Sequence, residues 1–139
     1  MIEAISRDWN GFVADWCSHF EVDGPMLDLV RHLALSNRVI LFSNTNREHW
    51  AKVRDLTGGA FDRFECYLSY QMGEAKPSLG SFRTVAARAH INPAHSLFID
   101  DRIENVEAAR RVGHHAEVFV SKKILEEYLA QAQRYNRDE

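Results

Sequence analysis

The stretch RVILFSNTNREHWAKVRDLTGG, Arg38–Gly59, puts a short apolar run ahead of a polar turn and a helical pattern. After Arg38 the run RVILFS shows no apolar–polar alternation, which is the signature of a strand buried on both faces. From Asn46 to Thr57 apolar residues return at helical spacing, and Gly58-Gly59 stops the helix. The unit is therefore strand, loop, helix. Working outward, Phe64–Tyr70 (FECYLSY) reads as a second strand and Gly73–Pro77 as a loop, after which Ser78 can cap a helix running to about His90. Ser96–Ile99 (SLFI) is again short and apolar, followed by a helix from Ile103 to Val112 that ends at Gly113. Ala116–Val120 is the last strand, and Ile124 to about Arg134 the last helix, with residues 136–139 expected to fray. Strands alternating with helices predict an α/β fold, a three-layer Rossmann-like parallel sheet with helices on both faces.

The bulk composition agrees with one soluble core. The chain has 139 residues, 45% apolar and 27% charged, and no apolar run approaches the length of a membrane span. A net charge of -3 with signs interspersed offers no face for nucleic acid and no polybasic membrane patch. Cys17 and Cys66 lack metal-like spacing, and Glu3 breaks any leader at the N-terminus, so reduced thiols and a cytoplasmic location are expected.

In open parallel sheets ligands bind at the carboxyl ends of the strands. The residues just past those ends are Ser43-Asn44-Thr45-Asn46, then Lys76-Pro77 by way of a loop, then Asp100-Asp101 with Glu104 and Asn105 beyond. Hydroxyl and amide donors with an ammonium suit phosphate oxygens, and hard carboxylate oxygens suit Mg²⁺. Each element alone has a plain reading: a helix-capping turn for Ser-Asn-Thr-Asn, a surface loop for Lys-Pro, and for the aspartates a cost unless a cation or hydrogen bonds satisfy them. Their convergence favours a site. A receiver-type domain uses similar residues, but in the reverse order. His49-Trp50 reads as a half-buried aromatic face and His114-His115 as part of a turn.

LFSNTNREHW, GEAKPS and LFIDDRIENVEAARRVG resemble the second, third and fourth motifs of the haloacid dehalogenase (HAD) superfamily. The NTN and DD variants look like its phosphatase-like branch, subfamily IA type, related to glucose-1-phosphate phosphatases and the N-terminal domain of soluble epoxide hydrolases. The similarity runs from about Phe12 to Val120. It implies hydrolysis of a small phosphorylated metabolite with Mg²⁺. By the same resemblance Ser43 would bond the phosphoryl group and Asn44 would help position substrate. Lys76 would offset charge, Asp101 would ligate Mg²⁺, and Asp100 and Asn105 would complete or orient the metal site.

The family's first motif is a central strand ending in an aspartate nucleophile. Read that way, MIEAISRDWNGFV offers Asp8 as nucleophile and Asn10 in place of the acid/base aspartate. Against it, Ile2, Ile5, Trp9, Phe12, Trp16 and Phe20 recur at three and four residues, and Glu3, Ser6 and Arg7 interrupt the apolar run expected of a central strand. Phe12, Trp16 and Phe20 resemble instead the segment that ends the family's mobile cap. The division expected is a cap-helix remnant over 1–22 (or a degenerate first motif), a HAD-like core over 23–135 and a frayed tail. That core would lack its first central strand and most of its cap. Such a sheet must close the gap, fray, or borrow a strand from a second copy, and the chain would be an N-terminally truncated phosphohydrolase, weakly active or inactive alone. The alternatives are a compact, nearly capless phosphatase using Asp8, or a module that binds phosphate or a partner without catalysis.

Overall fold

The structure is a computed structural model that describes residues 2–5 and 24–135. Five strands form one parallel sheet: β1 Ile2–Ile5, β2 Ile40–Ser43, β3 Glu65–Leu68, β4 Leu97–Asp100 and β5 His115–Val118. Between them lie α1 Gly24–Leu33, α2 Arg47–Leu56, the single turn α3 Ser69–Met72, α4 Leu79–Arg88, a 3₁₀ turn Pro93–His95, α5 Ile103–Val112 and, last, α6 Lys122–Tyr135. The strand order is β3-β2-β1-β4-β5.

That order corrects the reading of the N-terminus. The centre of the sheet is filled by Ile2–Ile5, where a helix was expected and a missing strand inferred. β1 pairs in parallel with both neighbours, Ile5 opposite Leu41 on one side and Ile99 on the other, with a register shift between Ile2 and Ala4. The physical reason is hydrogen bonding: β2 and β4 would otherwise face each other with open ladders inside the molecule, and four residues in extended form supply both. A helical period sampled over so few residues cannot outweigh that demand. With the centre filled, the reason to expect a borrowed strand, and hence self-association through the sheet, disappears. The remaining residues of the expected cap helix, with Trp9, Phe12, Trp16, Phe20 and Cys17, lie outside the described residues.

Alternate residues of the strands feed two cores. Leu41 packs with Val53 and Phe61, and Ile99 with Leu29, Val30, Leu33, Leu125 and Leu129, so α1, α2 and α6 cover one face. Phe42 and Phe98 point the other way, against Phe82, Val85, Val106 and Ala109 of α4 and α5. This is the three-layer arrangement expected. Boundaries moved slightly: the FECYLSY strand stops at Leu68 because Ser69 starts a helical turn, and the last strand begins at His115. Ser78 occupies the N-cap of α4 without a side-chain capping bond; its carbonyl instead accepts the Ser81 hydroxyl at 2.7 Å. α5 ends at Gly113, whose φ of 111° a residue with a Cβ rarely adopts.

His114 is buried, its Nδ1 bonded to the Ser96 hydroxyl, which also lies 2.9 Å from the Pro93 carbonyl. The expected turn residue is thus an interior one. Burial pushes its pKa below the ordinary histidine value of 6.5. The unfolded chain therefore takes up this proton at higher pH than the folded one. Stability should fall as pH drops through about 6.5 toward the depressed folded value. Urea midpoints at pH 7.5 and pH 5.5 should show this loss, and His114→Gln should reduce it.

Cys66 is half-buried with its thiol facing the Phe61 and Phe64 carbonyls; burial, and then the Asp62 charge, push its pKa up to about 11. It is a packing thiol rather than a reactive one. No helix among the described residues is long and apolar enough to cross a membrane.

Candidate phosphate-type site at the carboxyl edge of the sheet

Because the strands are parallel, their carboxyl ends share one edge, and the expected rim residues meet there. Ser43 closes β2 and is fully buried. Its Oγ has no hydrogen-bond partner among the described residues. A buried hydroxyl left unsatisfied costs about 1–3 kcal/mol, so an acceptor placed at this atom would be stabilising.

Lys76 reaches the same edge from the loop between α3 and α4. Its side chain is entirely excluded from solvent, as is that of Asp100, with Nζ 2.8 Å from Asp100 Oδ2 and 2.9 Å from the Phe42 carbonyl oxygen. The ammonium also stands 5.1 Å from the centre of the Phe42 ring and 5.7 Å from that of Phe98, within cation–π range. Since Phe42 directly precedes Ser43, the cation is held at the carbonyl of the residue before Ser43.

Asp100 ends β4 and is held on both oxygens. Oδ2 accepts from Lys76 and, at 3.1 Å, from Asn105 Nδ2; Oδ1 accepts the Arg102 backbone N–H at 2.8 Å. Asn105, buried in α5, thus orients Asp100. Asp101 is exposed beside it. No three His, Cys, Asp or Glu gather into a metal cage among the described residues. Mg²⁺ does not need one, since it keeps several waters and is held through one or two carboxylates. The carboxylates fit the ion on those terms: both offer hard oxygens, Asp101 is exposed, and Asp100 Oδ1 accepts one bond among the described residues.

Asn44 is turned toward the loop that carries Lys76. Its Nδ2 donates to the Lys76 carbonyl at 2.8 Å and its Oδ1 accepts the Lys76 N–H at 3.0 Å, so the side chain faces the protein backbone. The next residue is tied on the other side: the Ser69 hydroxyl donates to the Thr45 carbonyl and accepts from the Thr45 N–H, both at 2.9 Å. Ser69 went unnoticed in the sequence because the strand was read through to Tyr70, whereas it ends at Leu68 and Ser69 directly follows it. Asn46 caps α2 by accepting the His49 N–H at 2.8 Å. Trp50 stacks on Phe61 in the core, the half-buried role expected of it. Asp8 lies outside the described residues, three positions beyond the end of β1.

A parallel α/β sheet with a buried lysine–aspartate pair at its carboxyl edge is the arrangement that the resemblance to HAD-like hydrolase domains implies. The haloacid dehalogenase-like hydrolase family matches residues 10–113, and the chain belongs to that family. It is similar to the D-ribitol-5-phosphate phosphatase of Bacteroides thetaiotaomicron, 31% identical in an alignment of 118 residues that covers 81% of this chain and 54% of that protein. The chain spans about half the length of this curated relative. Among solved structures it resembles a HAD family enzyme of the same organism, a point mutant in complex with magnesium and inorganic phosphate. The TM-score there is 0.67 at 34% identity, over 73% of this chain and 55% of that one. A HAD-like family hydrolase from Porphyromonas gingivalis gives a TM-score of 0.70 at 29% identity, over 82% and 58% of the two chains.

Proposed function

We propose that the chain carries the site of a Mg²⁺-dependent phosphatase for a small phosphate monoester. The observation that carries this reading is the buried Ser43 Oγ, without a hydrogen-bond partner among the described residues, on the strand whose Phe42 carbonyl holds the Lys76 ammonium. Ser43 donates to a phosphoryl oxygen, and Lys76 offsets charge on the phosphoryl and attacking oxygens. Asp101 is the carboxylate ligand for Mg²⁺, with Asp100 and Asn105 completing and orienting that corner. Bound Mg²⁺ supplies positive charge to the phosphoryl oxygens.

The occupied centre of the sheet favours Asp8 as nucleophile over a chain with none. Its carboxylate attacks phosphorus, the bond from phosphorus to the alcohol oxygen breaks, and water then cleaves the acyl phosphate to release phosphate and restore Asp8. Asn10, in the place of the family's acid/base aspartate, cannot protonate the leaving oxygen. Turnover by the chain alone is therefore weak and favours aryl phosphates, whose phenolates leave without protonation and take a proton from water afterwards. The activity named for the Bacteroides relative makes polyol phosphates the first metabolites to try.

The test is hydrolysis of an aryl phosphate and of D-ribitol-5-phosphate, with Mg²⁺ or EDTA, by the wild-type chain, Asp8→Asn and Asp101→Asn. Slow aryl turnover abolished by EDTA and by both substitutions supports the reading. Turnover that survives Asp8→Asn removes Asp8 from the chemistry. Phosphate binding without any turnover leaves the non-catalytic module.

Ser43→Ala separates the hydroxyl's role from its place in the core. A hydrogen bond to a charged group contributes about 1.5–3 kcal/mol, so phosphate affinity by calorimetry should fall roughly tenfold to a hundredfold. Urea stability should be unchanged or slightly higher, because the hydroxyl has no described partner to lose.

A further inference from the structure

We propose that Asn44 is the positioning residue for Lys76, a role that rests on the phosphate-site reading above and differs from direct contact with substrate. The two bonds between the Asn44 amide and the Lys76 peptide, 2.8 and 3.0 Å, use both ends of the side chain on one residue's backbone. They are the pair that a neighbouring strand would make, supplied here to a loop residue by a side chain. Lysine is a flexible stem with a point charge at its tip. Fixing its peptide at one end, while Phe42 and Asp100 fix the ammonium at the other, removes the freedom that would blur the charge's position.

The clamp is coupled to the phosphate-facing hydroxyl by covalent structure. Asn44 directly follows Ser43, and Thr45 directly follows Asn44 and is locked by Ser69. The hydroxyl donor and the lysine are therefore referenced to one short rigid segment. Groups placed before a charge arrives need no reorganisation when it does. An asparagine aimed at substrate would instead point both amide atoms away from Lys76.

The experiment combines inorganic phosphate titration by calorimetry with NMR of the Lys76 side-chain ammonium and backbone amide, in the wild-type chain and Asn44→Ala. A positioning role predicts phosphate affinity weakened about tenfold or more in Asn44→Ala. It also predicts a shifted or broadened Lys76 ammonium signal, with amide protection at Ile99 in the sheet retained. Wild-type affinity and an unchanged ammonium signal in Asn44→Ala overturn it. If Asn44→Ala does not fold, the wild-type chain decides: slow exchange of the Lys76 amide supports the clamp and loop-like fast exchange overturns it. Failure of the wild-type chain to bind phosphate overturns the phosphate-site reading, while an unchanged ammonium signal on its own overturns the Asn44–Lys76 link.

Discussion

Lys76→Met should destabilise the fold by about 3–5 kcal/mol, the usual cost of removing one partner from a buried ion pair. Methionine matches the lysine stem in length and apolar character, so the loss is not one of packing. It comes from Asp100, a carboxylate with no solvent exposure, which would keep the Arg102 amide and the Asn105 side chain as its donors among the described residues. The Phe42 carbonyl loses a donor as well. Asp100→Asn should also be costly, because it removes the opposite charge from a buried ammonium. The double variant Lys76→Met/Asp100→Asn should cost clearly less than the sum of the singles. Urea unfolding of all four proteins measures the cycle, and additive costs would show that the pair is not energetically coupled. Phosphate binding should be lost in both proteins that carry Lys76→Met.

The parts of this fold that the sequence discloses are those set by local rules. RVILFS and SLFI are strands because uninterrupted apolar runs suit burial on two faces, and Gly113 marks the end of α5 because that turn needs a positive φ. Ser43, Lys76 and Asp100 converge because parallel strands bring their carboxyl ends to one edge, a consequence of topology that strand-helix alternation already implies. What was not legible depended on partners distant in sequence. β1 is defined by the open ladders of β2 and β4, neither of which its own four residues announce. The direction of the Asn44 side chain is set by a peptide 32 residues away, and the Ser69 link to Thr45 spans 24. His114 reads as a turn residue beside His115, yet its partner Ser96 sits at the amino end of the adjacent strand. Local patterning carries element type and the edge on which a ligand sits; pairing energy decides the rest.

Phe82→Ala should be the most damaging single change in the core, and its effect should reach the site. Phe82, buried in α4, meets Phe42 edge-on at 5.2 Å and 83° and Phe98 at 5.0 Å and 81°. Those two rings are the ones beneath the Lys76 ammonium, so Phe82 sets their tilt without touching the cation. Truncating a buried phenylalanine costs about 3–5 kcal/mol through lost transfer energy and the cavity left behind. Loss of two aromatic pairs, each contributing about 0.5–1.5 kcal/mol beyond burial, pushes the value to the upper end. Against a total stability of about 5–15 kcal/mol, that removes a large share of the margin. Phe82→Leu keeps most of the volume and should cost about 1.5 kcal/mol or somewhat more, since it also gives up the edge-on geometry. It is the variant that separates fold from site. In a chain that remains folded, free movement of the Phe42 and Phe98 rings should lower phosphate affinity more than the modest loss of stability explains. Equal phosphate affinity in Phe82→Leu and the wild-type chain would show that the rings serve as filling and do not help to hold the ammonium.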